Sequence, residues 1–291
     1  MRALITGGTG FAGAHLAEHC RAEGDDVTAV ARATGVDLLD PRATRQAVAD
    51  AGPDVVYHLA ARAHVGRAWE DPAGTLHDNL AMTSNLFDAV RAEAPGATVV
   101  AVSSGEVYGR PLALPMTEDL PPRPQNPYAV SKAAVDLVAR YTVDVHDLRV
   151  IVPRAFNHSG PGQEPIYAIA SFARQAAAGP RIVTGNPDAR RDYTDVRDVV
   201  RAYRMLAAGG EAGEVYNVCS GRTASAAELV AELGEQTGQT IEHVVDPALV
   251  RAHEVMEVRG SAAKLNAATG WTPEIPLEQT LADAVAWWSA R

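Results

Sequence analysis

Tyr128 and Lys132 stand four residues apart in the stretch Pro127-Tyr128-Ala129-Val130-Ser131-Lys132-Ala133. Lys132 is one of two lysines, the other being Lys264, in a chain whose lysines and arginines total 26. A chain that supplies positive charge almost entirely with arginine, yet places lysine at Tyr+4, invites a chemical explanation. Residues i and i+4 share one face of a helix. A compact ammonium held there sits beside the phenol and favours its ionised form, which makes a proton-transfer pair. The same spacing also arises on ordinary helices that carry an exposed aromatic and an exposed charge, so the surrounding sequence must decide.

A second constellation lies at the N-terminus. Thr6-Gly7-Gly8-Thr9-Gly10-Phe11-Ala12-Gly13 follows the apolar run Ala3 to Ile5 and opens a helical pattern from Phe11 to Glu23. Gly7 permits a tight turn, Gly10 lets backbone N–H groups approach a pyrophosphate, and Gly13 permits close helix packing; Phe11 and Ala12 begin the helix whose N-terminus favours an anion. The next strand, Val27 to Ala31, should end beside the adenosine ribose. An NAD site commonly places Asp or Glu there, whereas this chain has Ala31 and Arg32. An arginine can hold a 2′-phosphate, so the expected cofactor is NADP(H), with NAD(H) as the alternative. Arg32 as a solvated loop charge is the competing reading. Asp37 and Leu38 would then meet the adenine.

The elements that must position these residues alternate. Apolar runs at Ala3 to Ile5, Val27 to Ala31, Val55 to Leu59, Thr98 to Ser103 and Arg149 to Pro153 are separated by helical patterns near Thr75 to Glu93 and Tyr128 to Val145. This predicts an α/β fold, a Rossmann-type doubly wound parallel sheet covered on both faces. The stretch from Phe156 to Gln163 is rich in Gly, Pro, Asn and Ser and breaks the alternation. Residues 1–155 are therefore expected to form the dinucleotide-binding domain and 156–291 mainly a smaller C-terminal substrate lobe, with some later segments returning to the first. Beyond the break, helices are expected at Ile166 to Ala178, Ser225 to Gly238 and Leu277 to Trp288, and a strand at Val215 to Val218. Trp287 and Trp288 read as core packing of the last helix.

With 291 residues the chain can bury a sizeable core. Its net charge of −10 and the lack of a basic run argue against nucleic acid as a partner. Cys20 and Cys219 lack metal-site spacing and read as buried thiols in a reducing compartment, and no zinc pattern occurs. No apolar stretch approaches a membrane span and no signal peptide precedes the first strand, so a cytoplasmic protein without membrane association is expected.

Together the glycine turn, His58-Leu59-Ala60-Ala61, Ser103-Ser104-Gly105-Glu106-Val107-Tyr108-Gly109 and the Tyr128/Lys132 pair resemble the extended short-chain dehydrogenase/reductases that act on nucleotide sugars. The resemblance covers nearly the whole chain. It implies that Leu59, Ala60 and Ala61 line the cofactor and that Ser104 hydrogen-bonds the sugar 4-oxygen. Tyr128 becomes the acid/base, and Lys132 tunes it while bonding the nicotinamide ribose. Asn79 matches an asparagine on the helix through which the family forms homodimers. Arg154 to Gln163, Arg191 to Val199, Val215 to Gly221 and Gly270 to Leu277 are similar to the GDP-4-keto-6-deoxymannose reductases, implying reduction of GDP-4-keto-6-deoxy-D-mannose to GDP-D-rhamnose.

A charged sugar diphosphate suits planar donors such as Arg191 and Arg251, and Asn157 can serve the sugar–diphosphate junction. Arg191 could equally pair with Asp192 or Asp195 on a solvated turn. The surroundings of Arg251 depart from the family, with Ala252 in place of proline and Ser261 where aspartate is common. Glu254 either contacts the nucleotide ribose or is a solvated loop charge. His58 reads as a packing residue beside the cofactor, and His158 as a shaper of its loop. Glu106 keeps a second chemistry open, because 4,6-dehydratases place at this position the carboxylate that removes the C5 proton. A nucleotide-sugar 4-epimerase would use Ser104, Tyr128 and Lys132 as well. A nicotinamide-binding regulator is the non-enzymatic reading, which the presence of Tyr128 and Lys132 disfavours.

Overall fold

The computed structural model describes residues 1–250 and 254–291. In chain order the first half contains β1 (Arg2–Thr6), α1 (Phe11–Ala22), β2 (Asp26–Val30), α2 (Pro41–Ala51), β3 (Val55–His58), α3 (Val65–Glu70), α4 (Pro72–Glu93), β4 (Thr98–Ala101), β5 (Ser103–Ser104), α5 (Pro127–His146) and β6 (Arg149–Ala155). The second half contains β7 (Asn157–Ser159), α6 (Ala168–Ala178), β8 (Arg181–Thr184), β9 (Arg190–Asp195), α7 (Val196–Gly209), β10 (Val215–Val218), β11 (Thr223–Ser225), α8 (Ala226–Thr237), β12 (Glu242–Val245), β13 (Glu257–Val258), α9 (Ala263–Thr269) and α10 (Leu277–Ser289).

Seven strands form the parallel central sheet in the order β10-β6-β4-β3-β1-β2, with β5 paired to β6. The fold is the α/β, Rossmann-type arrangement that the alternating pattern predicts. β3 reads Val-Val-Tyr-His and is buried at every position, as a strand covered on both faces must be. One face packs against α1 and α7 through Leu16, Cys20, Val199, Tyr203, Leu206 and Trp271. The other packs against α2, α4 and α5 through Val48, Leu86, Phe87, Val90 and Ala139. From β1 the chain crosses first to β2 on one side and then to β3 on the other. Loops leaving β1 and β3 therefore diverge at their carboxyl ends and leave a crevice at that reversal of strand order.

A second, smaller body consists of β11-β9-β13 with β7 beside β9, and a β12-β8 pair. Its core comprises Ile169, Phe172, Ile182, Leu229, Leu233 and Leu281 from α6, β8, α8 and α10. The stretch Arg190 to Arg201 divides into β9 and α7, because the Asp195 carboxylate accepts the Arg197 N–H and starts the helix.

Caps account for most shifts in element bounds. α4 begins at Pro72 rather than near Thr75, since Asp71 accepts the Gly74 N–H and Pro72 fits the first turn. α2, which the sequence expectations lacked, starts behind the Asp40 cap. The expected core role of Trp287 and Trp288 is not what the structure contains. Both are half-buried, stacked edge to face at 4.8 Å, with Arg291 over one ring and Arg174 over the other. The rings lie at the margin of the α6–α10 packing, where cations from α6 and from the chain end cover them.

Candidate active site

The turn after β1 is built around glycine. Gly7 has φ +70°, and a Cβ at Gly13 would lie 2.1 Å from the Gly7 carbonyl oxygen, so α1 approaches the turn as no larger residue allows. Phe11 and Ala12 open α1 directly after Gly10, and Leu59, Ala60 and Ala61 pass close by after β3, with the Ala60 backbone against Gly7. A cleft of about 720 Å³ opens here, lined by Gly10, Phe11, Arg62, His64, Arg67 and Tyr167 among others. A bare turn that side chains would obstruct, at a helix N-terminus and beside arginines, fits a dinucleotide diphosphate.

Arg32 lies just past β2 in a short 3-10 turn, with its side chain 70% exposed. Its guanidinium pairs with Asp37 at 3.1 Å, and Asp37 also accepts the Leu39 N–H. The two residues expected at the adenosine thus hold each other at the rim. Leu38 is buried and its carbonyl accepts from Asn85.

At the opposite end of the crevice, Ser104 ends β5, and Tyr128 and Lys132 occupy the first turns of α5. The helix starts where it does because the Asn126 side chain accepts the Ala129 N–H and Pro127 occupies the first turn. The other face of the Asn126 amide donates to Glu106 Oε2 at 2.9 Å, which ties Glu106 to the start of α5. Tyr128 is buried, and desolvation pushes its phenol well above the ordinary tyrosine range. A hydrogen bond with Ser104 opposes that rise, and the charge of Glu106 adds to it. Lys132 is 4% exposed and donates to the Val102 carbonyl at 2.7 Å. Burial pushes its ammonium down to about 8, against the pull of Asp136. The spacing led to an ammonium that favours the ionised phenol, whereas in the chain alone the largest influence on the phenol is its burial. Burial outweighs the opposing Ser104 hydrogen bond, and the phenol keeps its proton at neutral pH.

Asn79, buried on α4, accepts the Arg62 N–H at 2.7 Å and donates to Ser131 at 2.8 Å, joining the loop after β3 to α5. His58 is buried between Thr6 and Thr83, and desolvation pushes it down to about 3, so the ring is neutral. His158 reaches the Phe156 carbonyl through Nδ1 and stacks on Phe11.

Toward the smaller body, Asn157 begins β7 and is half-buried, and Arg191 lies on β9. Arg191 pairs with Glu254 at 3.2 Å, rather than with Asp192 or Asp195. Those two carboxylates are already engaged. Asp192 accepts from Ser220, Gly221 and Gly260, and Asp195 from Arg197 and Thr280. Glu254 Oε2 is buried without a hydrogen-bond partner among the described residues. Arg251 lies outside the described residues.

Two groups escaped the sequence reading. Tyr167, at the start of α6, meets His64 edge to face at 5.7 Å across the cleft and lies close enough to influence the Tyr128 phenol. Asp136, Arg154, Tyr108 and Asn217 form a buried polar chain behind Lys132. The signal for Asp136 was present, since it stands four residues beyond Lys132 on the same helical stripe.

Comparison with known proteins adds the lineage. Residues 3–219 match the model of the NAD dependent epimerase/dehydratase family. The chain is 41% identical to GDP-6-deoxy-D-mannose reductase of Pseudomonas aeruginosa, over 100% of this chain and 98% of that protein. It is 36% identical to a dTDP-glucose 4,6-dehydratase of Streptomyces griseus, over 82% of this chain and 72% of that protein. The structure of RMD from Pseudomonas aeruginosa complexed with NADPH superposes with a TM-score of 0.92 at 40% identity, covering 100% of this chain and 99% of the other.

Proposed function

The chain belongs to the NAD dependent epimerase/dehydratase family, and from that premise we propose that it reduces the 4-keto group of a nucleotide-linked 4-keto-6-deoxy sugar with NADPH, converting GDP-4-keto-6-deoxy-D-mannose to GDP-D-rhamnose. The observation that carries this reading is the end-to-end likeness to a GDP-6-deoxy-D-mannose reductase. When bound, the reduced nicotinamide supplies the hydride. Tyr128, protonated at neutral pH, donates its proton to the forming alkoxide, and Ser104 hydrogen-bonds the same oxygen. Lys132 contributes a buried positive charge beside that oxygen and a donor for the nicotinamide ribose. Gly7, Gly10, Phe11, Ala12 and Gly13 cradle the pyrophosphate, Leu59, Ala60 and Ala61 line the cofactor, and Arg32 swings from Asp37 to the 2′-phosphate. Arg191 and Asn157, with Glu254 and Arg251, bind the nucleotide diphosphate. In this reading residues up to about 155 serve mainly the cofactor and later ones mainly the sugar nucleotide.

One observation supports a second reading: the Glu106 carboxylate stands near Tyr128, as a 4,6-dehydratase would require. The discriminating experiment incubates the protein with NADPH and GDP-4-keto-6-deoxy-D-mannose and follows absorbance of the reduced nicotinamide. Stoichiometric oxidation with GDP-D-rhamnose as product is expected. Absence of oxidation, together with conversion of a plain nucleotide hexose without added cofactor, replaces reductase with dehydratase or epimerase.

A homodimer is part of the proposal. Val130, Leu137, Tyr141 and Val145 are exposed along one face of α5, with Leu80 exposed on the adjoining α4, and Leu137 is 73% exposed. Such a stripe suits a two-fold helical interface. Light scattering at micromolar concentration should give twice the chain mass, and the monomer mass would remove this part. No helix among the described residues is long and apolar enough to cross a membrane.

A further inference from the structure

Tyr128, Lys132 and Asp136 recur every four residues along α5, so all three lie on the face turned toward the sheet. Asp136 touches neither the cleft nor any group in the reaction proposed above. Its carboxylate accepts from Arg154 Nε at 2.9 Å, with both side chains almost fully buried. Arg154 lies on β6 opposite Ser103, one residue before the partner of Ser104. The same guanidinium donates to the Tyr108 hydroxyl at 2.9 Å and lies over its ring, and Tyr108 donates to Asn217 Oδ1 at 2.7 Å. Tyr108 closes the 3-10 turn that begins directly after Ser104 and carries Glu106. One buried ion pair thus joins the helix bearing Tyr128 and Lys132 to the strand and turn bearing Ser104 and Glu106.

The charges around Lys132 make Asp136 more than a brace. From α5 come Tyr128 and Asp136, from β3 the neutral ring of His58, from β6 the cation of Arg154, and from β5 the Ser103 hydroxyl facing the carboxylate. Tyr203 of α7 lies near the phenol rather than the amine. Asp136 is the one anion in this set, and a buried ammonium with a single carbonyl partner sheds its proton readily.

We propose that Asp136 is a positioning residue for the active site: it keeps the Lys132 ammonium charged and in place, with Arg154 holding the carboxylate that does so. The inference rests on the reductase reading for its catalytic meaning, but the helical spacing of Lys132 and Asp136 and the buried Asp136–Arg154 ion pair stand apart from that reading and are tested separately.

The chain's two lysines make the test direct. Lysine labelled with 13C at the ε carbon gives two resonances, and K264R identifies that of Lys132. In the wild-type protein the Lys132 resonance should titrate near 8. In D136N the midpoint should fall by about one pH unit or more, roughly a tenfold loss of proton affinity. The basic limb of the kcat/KM profile for keto-sugar reduction should fall with it. D136E should restore the wild-type midpoint.

In the double variant D136N/R154M, which also removes the opposing guanidinium, the midpoint should return part of the way. A purely structural Asp136 would leave the double variant no better than D136N. Should D136N fail to fold, D136E and the double variant carry the comparison, with NADPH fluorescence reporting an intact cofactor site. A Lys132 midpoint unchanged within about 0.3 pH unit in D136N, or, where D136N does not fold, a double-variant midpoint that does not lie below that of wild type, overturns the proposal. If the wild-type protein reduces no keto sugar, the functional reading falls while the titration still decides the role of Asp136.

Discussion

Replacing Tyr128 by phenylalanine removes one oxygen atom from a site where the structure allots it one task. The phenol is buried, hydrogen-bonded with Ser104, and protonated at neutral pH because desolvation and the Glu106 charge hold it there. Phenylalanine preserves the ring packing, so the glycine turn and Lys132 keep their places. What is lost is the proton donor and one of two groups meeting the alkoxide. General acid catalysis is commonly worth about 10²- to 10⁴-fold, which at 1.36 kcal/mol per decade is about 3 to 5 kcal/mol of transition-state stabilisation. The assay follows NADPH oxidation with GDP-4-keto-6-deoxy-D-mannose, alongside fluorescence titration of NADPH binding. A fall in kcat of at least a hundredfold with cofactor affinity within threefold is expected. Turnover within threefold of wild type would refute the assignment of the acid, and would shift attention to the Tyr167 hydroxyl, which lies close enough to influence the Tyr128 phenol.

Other perturbations test separate parts. R32A should lower the preference for NADPH over NADH by about tenfold or more, or about 1.4 kcal/mol; an unchanged preference in steady-state kinetics would leave Arg32 as a rim charge paired with Asp37. D198A should destabilise the fold without touching the site: Asp198 accepts the Glu274 and Ile275 N–H groups at 2.9 and 2.8 Å, together with Arg201. Two partly buried donors left unpaired cost about 2 kcal/mol, a drop in Tm of roughly 4 to 8 °C by calorimetry, and a shift under 2 °C would contradict this account.

The parallel sheet was legible because β1, β3, β4 and β6 are covered on both faces and carry apolar residues along their middles. The glycine turn was legible because backbone geometry leaves few residues that can stand at Gly7 and Gly13. Less legible was anything decided by competition among partners. Arg191 had two candidate carboxylates close in sequence, Asp192 and Asp195, and it meets neither; its partner is Glu254, 63 residues away. Nothing local announces that Asp192 is already committed to the turn at Ser220. The protonation of Tyr128 was similarly hidden. The spacing to Lys132 is visible in one dimension, whereas the desolvation that raises the phenol depends on the fold closing around the ring, with Glu106 and Tyr167 adding to it and the Ser104 hydrogen bond opposing it.

The connection between the two bodies constrains how the crevice can work. The chain passes from one to the other between β6 and β7, between β9 and α7, between β10 and β11, between β13 and α9, and between α9 and α10. At Asp195 the passage has no linker at all, since that residue ends β9 and caps α7. At the mouth of the crevice the Tyr167 and His64 rings meet edge to face. A lobe fastened at five crossings, one of them without a linker, has no single connecting segment to serve as its hinge. In mechanical terms the lobe is riveted at several points rather than pinned at one.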